Sequence, residues 1–92
     1  MNAGVTQIFR IPNKRGLHAR ASAKFVSCVE QFDAEIIVSK DGHVVGGSSI
    51  MGLMMLAASQ GSSIHVSASG PDADLALEAL RNLIDGKFGE TE

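Results

Sequence analysis

His18 and Arg20 stand two residues apart in the stretch RGLHARASAKF, residues 15–25, where a glycine turn gives way to an amphipathic run. These residue types suit the chemistry of a phosphoryl group. Its acceptor must be uncharged near neutral pH, and an exposed imidazole with an ordinary pKa of about 6.5 is mostly so. A helix starting just after His18 turns unpaired first-turn N–H groups toward the same spot, here those of Ala19 and Arg20. With the helix dipole these make a seat for a dianion. Arg20 adds a fixed charge that can pair with phosphate through two N–H bonds, which a lysine does less well. A histidine that merely closes a loop beside a solvated arginine is the commoner meaning of such a pair, so the local physics suggests the site without deciding it.

The elements that must hold this site follow from hydrophobic periodicity. Residues 4–11, GVTQIFRI, are β-branched and aromatic and read as a first strand, closed by loop signals at Pro12, Asn13 and Gly16. From His18 onward Ser22, Phe25, Val26, Val29 and Phe32 fall at helical spacing, which predicts about four turns burying Phe25, Val29 and Phe32. AEIIVSK, residues 34–40, is a second strand; Asp41-Gly42 is a tight hairpin turn, and HVVG is the third strand, antiparallel to the second. SSIMGLMMLAAS, beginning at Ser48, starts with serines able to cap a short helix and places Ile50, Leu53, Met54 and Ala57 on one stripe, with Gly61 as its stop.

SSIHVSAS, residues 62–69, alternates Ile64, Val66 and Ala68 against His65, Ser67 and Ser69, a strand with one dry face and one wet face. Asp72 is then a good N-cap for a last helix whose stripe is Ala76, Leu77, Leu80, Leu83 and Ile84, closing at Gly86. The tail, residues 87–92, is expected to fray. The order β-α-β-β-α-β-α predicts an α+β protein, an antiparallel sheet with helices on one face, in a single domain over residues 1–92.

Composition narrows the function classes. The chain has 92 residues, 45% of them hydrophobic, with no Trp or Tyr, so aliphatic side chains and methionine build the core. A formal net charge of -2 provides no field for a polyanion, and the cations are scattered apart from Lys14, Arg15, Arg20 and Lys24, which argues against nucleic acid. No segment approaches a membrane span or a secretion signal, and a lone Cys28 fits a reducing cytoplasm. His43 and His65 read as solvated, Cys28 as a small residue near the core, and no ligand spacing implies a metal or other cofactor. GGSSIMG lacks the Gly-Lys-[Ser/Thr] ending of a nucleotide loop.

GLHARASAKF resembles the active-site segment of HPr, the histidine-containing phosphocarrier family of the bacterial phosphotransferase system, whose usual pattern is Gly-[Leu/Ile/Met]-His-[Ala/Thr]-Arg-Pro-Ala. SSIMGLMML, residues 48–56, resembles that family's regulatory serine region, and HVSASGPDADLAL its C-terminal part, so the likeness spans nearly the whole chain. The resemblance implies an open-faced β-sandwich with a four-stranded antiparallel sheet. It makes His18 the residue phosphorylated on Nδ1, with Arg20 beside it, and Ser49 the serine modified by an HPr kinase/phosphorylase. Ile50, Met51 and Met54 then form the apolar patch on which Enzyme I and downstream acceptors dock.

Three departures stand out: Ala21 for the family's proline, Arg15 where many relatives have Asn or Ser, and Ser48 for a lysine, which adds a second candidate serine. Alanine keeps the helix and frees one more donor, and Arg15 makes the site more cationic. A serine at position 49 is also simply a good cap, worth about 1 kcal/mol unmodified. Methionines are by habit core filler, yet a short helix cannot bury residues on every side, and flexible methionine suits a surface meeting several partners.

The expectation is therefore a monomeric phosphocarrier, not an enzyme turning over a small substrate. It serves either sugar uptake or a nitrogen-type regulatory branch, with SIMGLMML and Lys14-Arg15 leaning toward regulation. The rival is an anion- or partner-binding module that uses the same helix terminus without chemistry.

Overall fold

The computed structural model describes residues 4–91. Four strands, β1 (Val5–Arg10), β2 (Glu35–Lys40), β3 (His43–Gly46) and β4 (Ser63–Ser69), form one antiparallel sheet in the order β1-β4-β2-β3. Three α-helices, α1 (Ala19–Val29), α2 (Ile50–Met55) and α3 (Ala73–Asp85), complete the expected β-α-β-β-α-β-α order. Strand alternation sets the layers. Phe9, Ile36, Val38, Ile64, Val66 and Ala68 are buried in the core with Phe25 of α1 and Leu77, Leu80 and Ile84 of α3. Ile8, opposite His65, is exposed, and the Thr6 and Ser67 hydroxyls meet at 2.9 Å in the neighbouring pair of the wet face. Asp41 and Gly42 both have positive φ, the signature of the tight turn that suits the right-handed twist of a hairpin.

Several elements depart from the sequence reading. α1 is an eleven-residue helix ending at Val29, so Phe32 packs on the core from the following turn and not from a fourth helical turn. α2 has only six residues; Ala57 lies beyond it in a left-handed conformation, and Gly61 belongs to the turn before β4. The expected stripe is therefore split: Leu53 and then Leu56 reach the core, while Ile50 and Met54 stay exposed. Asp72 occupies the N-cap position of α3 without capping it, because its Oδ2 accepts from the Asp33 N–H at 2.8 Å and ties two loops together instead.

The largest departure is the tail. Lys87–Gly89 forms a 3-10 turn, and Phe88 is completely buried. Burying that one aromatic ring outweighs the fraying of a polar end, since an aromatic side chain removes a large apolar area from water. Glu92, the last residue of the expected frayed segment, lies outside the described residues.

Candidate functional site

Residues 11–17 form the loop that delivers His18. Ile11 anchors one end, donating to the Ser62 carbonyl at 2.9 Å and accepting from the Gly61 N–H at 2.8 Å; Leu17 anchors the other, donating to the Ala58 carbonyl at 2.9 Å. Gly16 is required between them: its φ is +67°, and a Cβ there would lie 2.3 Å from the Ala58 oxygen. Asn13, fully buried, closes the loop on itself, its side-chain amide donating to the Gly16 carbonyl at 2.9 Å.

His18 is the N-cap of α1, with extended backbone angles. Its carbonyl accepts from the Ser22 N–H at 2.9 Å, but its side chain makes no capping bond. The first-turn N–H groups, including those of Ala19 and Arg20, thus have no side-chain acceptor, the condition an incoming anion needs. No acidic residue lies in that first turn, and Arg20 is exposed. A hollow of about 370 Å³ opens beside it, lined by Arg15, Arg20, Lys24, Gly89, Glu90 and Thr91.

The imidazole is turned to the returning tail, where Nε2 lies 2.5 Å from Glu90 Oε2. His18 and Glu90 keep only 19% and 15% of their side-chain surface exposed, so this contact is partly shielded from solvent. The other carboxylate oxygen, Oε1, accepts from the Asn13 amide at 3.1 Å. The hydrogen bond from His18 holds the Glu90 carboxyl below its usual range; partial burial opposes this, and the Asn13 amide and the charges of His18 and Arg15 assist it. Lys24 donates to the Phe88 carbonyl at 2.6 Å and holds the tail from the other side.

Ser49 is the N-cap of α2, and its hydroxyl accepts from the Gly52 N–H at 2.9 Å. Ser48 precedes it, exposed and outside the helix. Met51 and Met55, 71% and 78% exposed, form an apolar outer surface with Ile50 and Met54. The loop leaving α2 borders His18: a depression of about 210 Å³ is lined by Arg15, Leu17, His18, Ala57, Ala58 and Ser59. His43 and His65 are exposed, and Cys28 packs against the core, where burial raises its thiol pKa. Among the described residues no three His, Cys, Asp or Glu side chains are grouped to hold a metal ion, and no helix is long and apolar enough to cross a membrane.

Sequence reasoning missed Glu90 and Asn13. Asn13 read only as a loop signal, although a buried amide with two acceptors is a structural staple. For Glu90 the available signal was Phe88, one apolar residue in an otherwise polar tail.

Residues 5–86 match the family described as the PTS HPr component phosphorylation site. The phosphocarrier protein HPr of Neisseria meningitidis is 51% identical over 86 residues, covering 94% of this chain and 97% of its own. The phosphocarrier protein NPr of Shewanella violacea is 42% identical over 80 residues, covering 87% and 88%. The crystal structure of an HPr from Thermoanaerobacter tengcongensis superposes with a TM-score of 0.91 at 44% identity, covering 96% of this chain and 99% of that one.

Proposed function

The chain belongs to the HPr family of phosphotransferase-system phosphocarriers, and on that premise we propose that His18 carries the phosphoryl group. Phosphorylated Enzyme I is the donor, Nδ1 of His18 the acceptor, and a histidine on a downstream protein the next recipient. The chain acts in the cytoplasm as a stoichiometric monomeric carrier, not as an enzyme. The observation that carries this reading is the uncapped start of α1: His18 occupies the N-cap with its side chain free of capping duty, beside the exposed Arg20. The N–H groups of Ala19 and Arg20 and the Arg20 guanidinium then meet the phosphate's charge, and Arg15 adds to the field. Stabilisation must stay moderate, because a seat that held the phosphorylated state too well would stop delivery.

Ile50, Met51 and Met54 are the docking surface in this reading, and Met55 extends it. Ser49 is the regulatory position, the target of an HPr kinase/phosphorylase. A phosphate on its hydroxyl would suit the positive end of α2 yet add about two negative charges beside the apolar patch, so partners would leave before the fold did. The test mixes the protein with phosphoenolpyruvate and Enzyme I, comparing wild type with His18→Gln. A carrier loses all acid-labile phosphate in the variant. Wild type that stays unphosphorylated while the variant keeps its affinity for inorganic phosphate would instead establish an anion-binding module.

A further inference from the structure

We propose that Glu90 is a positioning residue for phosphoryl transfer: its carboxylate holds the Nε2–H of His18 and so leaves Nδ1 as the nitrogen that attacks. The proposal rests on the carrier reading above and adds a group to it from the far end of the chain. Its basis is the geometry of Asn13, His18 and Glu90. Glu90 Oε2 lies 2.5 Å from Nε2, and Oε1 is fixed by the amide of the fully buried Asn13 at 3.1 Å. The amide that shapes the glycine loop therefore also orients the carboxylate.

The backbone is bent to bring Glu90 there. Lys87 and Phe88 both have φ near +57°, at +58° and +56°, and Gly89 follows at +78°. Two successive side-chain-bearing residues in the left-handed region are strained, and they persist because Phe88 is locked in the core and Lys24 bonds its carbonyl. The consequence is a tail that turns back across the mouth of α1 instead of trailing into solvent.

The chemistry follows from what each atom can do. An ionised carboxylate only accepts hydrogen bonds, so the ring nitrogen facing it must carry the proton. The neutral ring has a single N–H, so Nδ1 keeps its lone pair. This is the role the second ring nitrogen's partner plays wherever an imidazole must present one defined face. In the transfer step the Nδ1 lone pair forms a bond to phosphorus while the donor's N–P bond breaks and its electron pair returns to the donor nitrogen. The Nε2 proton does not leave. The ring gains positive charge, which the Glu90 carboxylate faces, and the protonated ring remains a good leaving group for the onward step. A ring freed from Glu90 divides its proton between both nitrogens, and part of the population presents the wrong one.

The experiment records long-range ¹H–¹⁵N spectra of the His18 ring at alkaline pH. Wild type is compared with Glu90→Ala and Glu90→Gln, alongside single-turnover phosphorylation by phosphorylated Enzyme I. The expected result is a single Nε2–H tautomer in wild type and mixed tautomers in Glu90→Ala. Phosphorylation of Glu90→Ala should slow roughly ten- to hundredfold, the usual cost of losing a partner behind a reacting imidazole. Glu90→Gln keeps the bulk without the charge and falls short of wild type in rate. An unchanged tautomer and a rate within about twofold of wild type in Glu90→Ala would overturn the proposal. Wild type that takes no phosphate would sink the carrier reading, and the ring spectra alone would still decide whether Glu90 fixes the proton.

Discussion

His18 and Ser49 occupy the same position in two helices, the N-cap, both with extended backbone angles, yet their side chains do opposite things. Ser49 turns inward and satisfies the start of α2 through the Gly52 N–H, whereas His18 turns away from α1 and gives its ring to Glu90. The difference is chemical. A hydroxyl one carbon from the backbone reaches its own helix, while an imidazole is too large and reaches across to another segment. One helix is therefore finished by its own cap, and the other is left with donors to offer a ligand. A site can be made by withholding a cap as much as by adding a charge.

The contrast can be broken most forcefully at the tail. Phe88→Ala should cost about 3–5 kcal/mol, as large cavities at buried aromatics do, and it should release Glu90 from His18. Urea denaturation checks the first effect and the His18 ring spectrum the second; a stable variant with the ring contact intact would mean that Phe88 is not the anchor. Arg20→Ala tests the open cap itself. Phosphorylation should slow by roughly a hundredfold, the scale of losing one preorganised donor to a developing charge, with stability unchanged.

Ser49→Ala should lower stability by about 1 kcal/mol through loss of the Gly52 bond. Ser49→Asp, which keeps an acceptor at the cap, should hold stability while weakening Enzyme I binding in calorimetry. Equal binding by both variants would remove the electrostatic basis for regulation at that serine.

The smallest effect is one of pH. Glu90's carboxyl is held below its usual value by the His18 hydrogen bond first, with Asn13 and Arg15 contributing, so the folded chain releases its proton more readily than the unfolded one. The stability this contributes is complete above the ordinary carboxylate pKa of about 4.3 and is lost as pH falls through the folded value. Thermal midpoints of wild type and Glu90→Gln, followed from about pH 5.5 to about 3, should differ at the upper end and converge at the lower. A gap independent of pH would contradict this.

Much of the frame was legible because the relevant forces are local. The alternation in β4 and the stripe of α3 come from burial on one face, and the Asp41-Gly42 turn from backbone sterics alone. His18 and Arg20 were legible because their spacing from the glycine turn is short. The failures are contacts between distant segments. Nothing near Asp72 reveals that the Asp33 N–H, 39 residues away in sequence, claims its carboxylate. Nothing near His18 reveals a partner 72 residues away. The α2 stripe misled because periodicity was extended past the point where Ala57 adopts a left-handed conformation.

The most direct test of the central claim, that the uncapped helix start carries the phosphate supplied by Enzyme I, is ³¹P and ¹⁵N spectroscopy of the chain after phosphorylation by Enzyme I and phosphoenolpyruvate. The account predicts one acid-labile phosphoramidate on Nδ1 of His18, with Ser49 unmodified in the absence of a kinase. Phosphate on Nε2, on Ser49, or on no residue of wild type would contradict it.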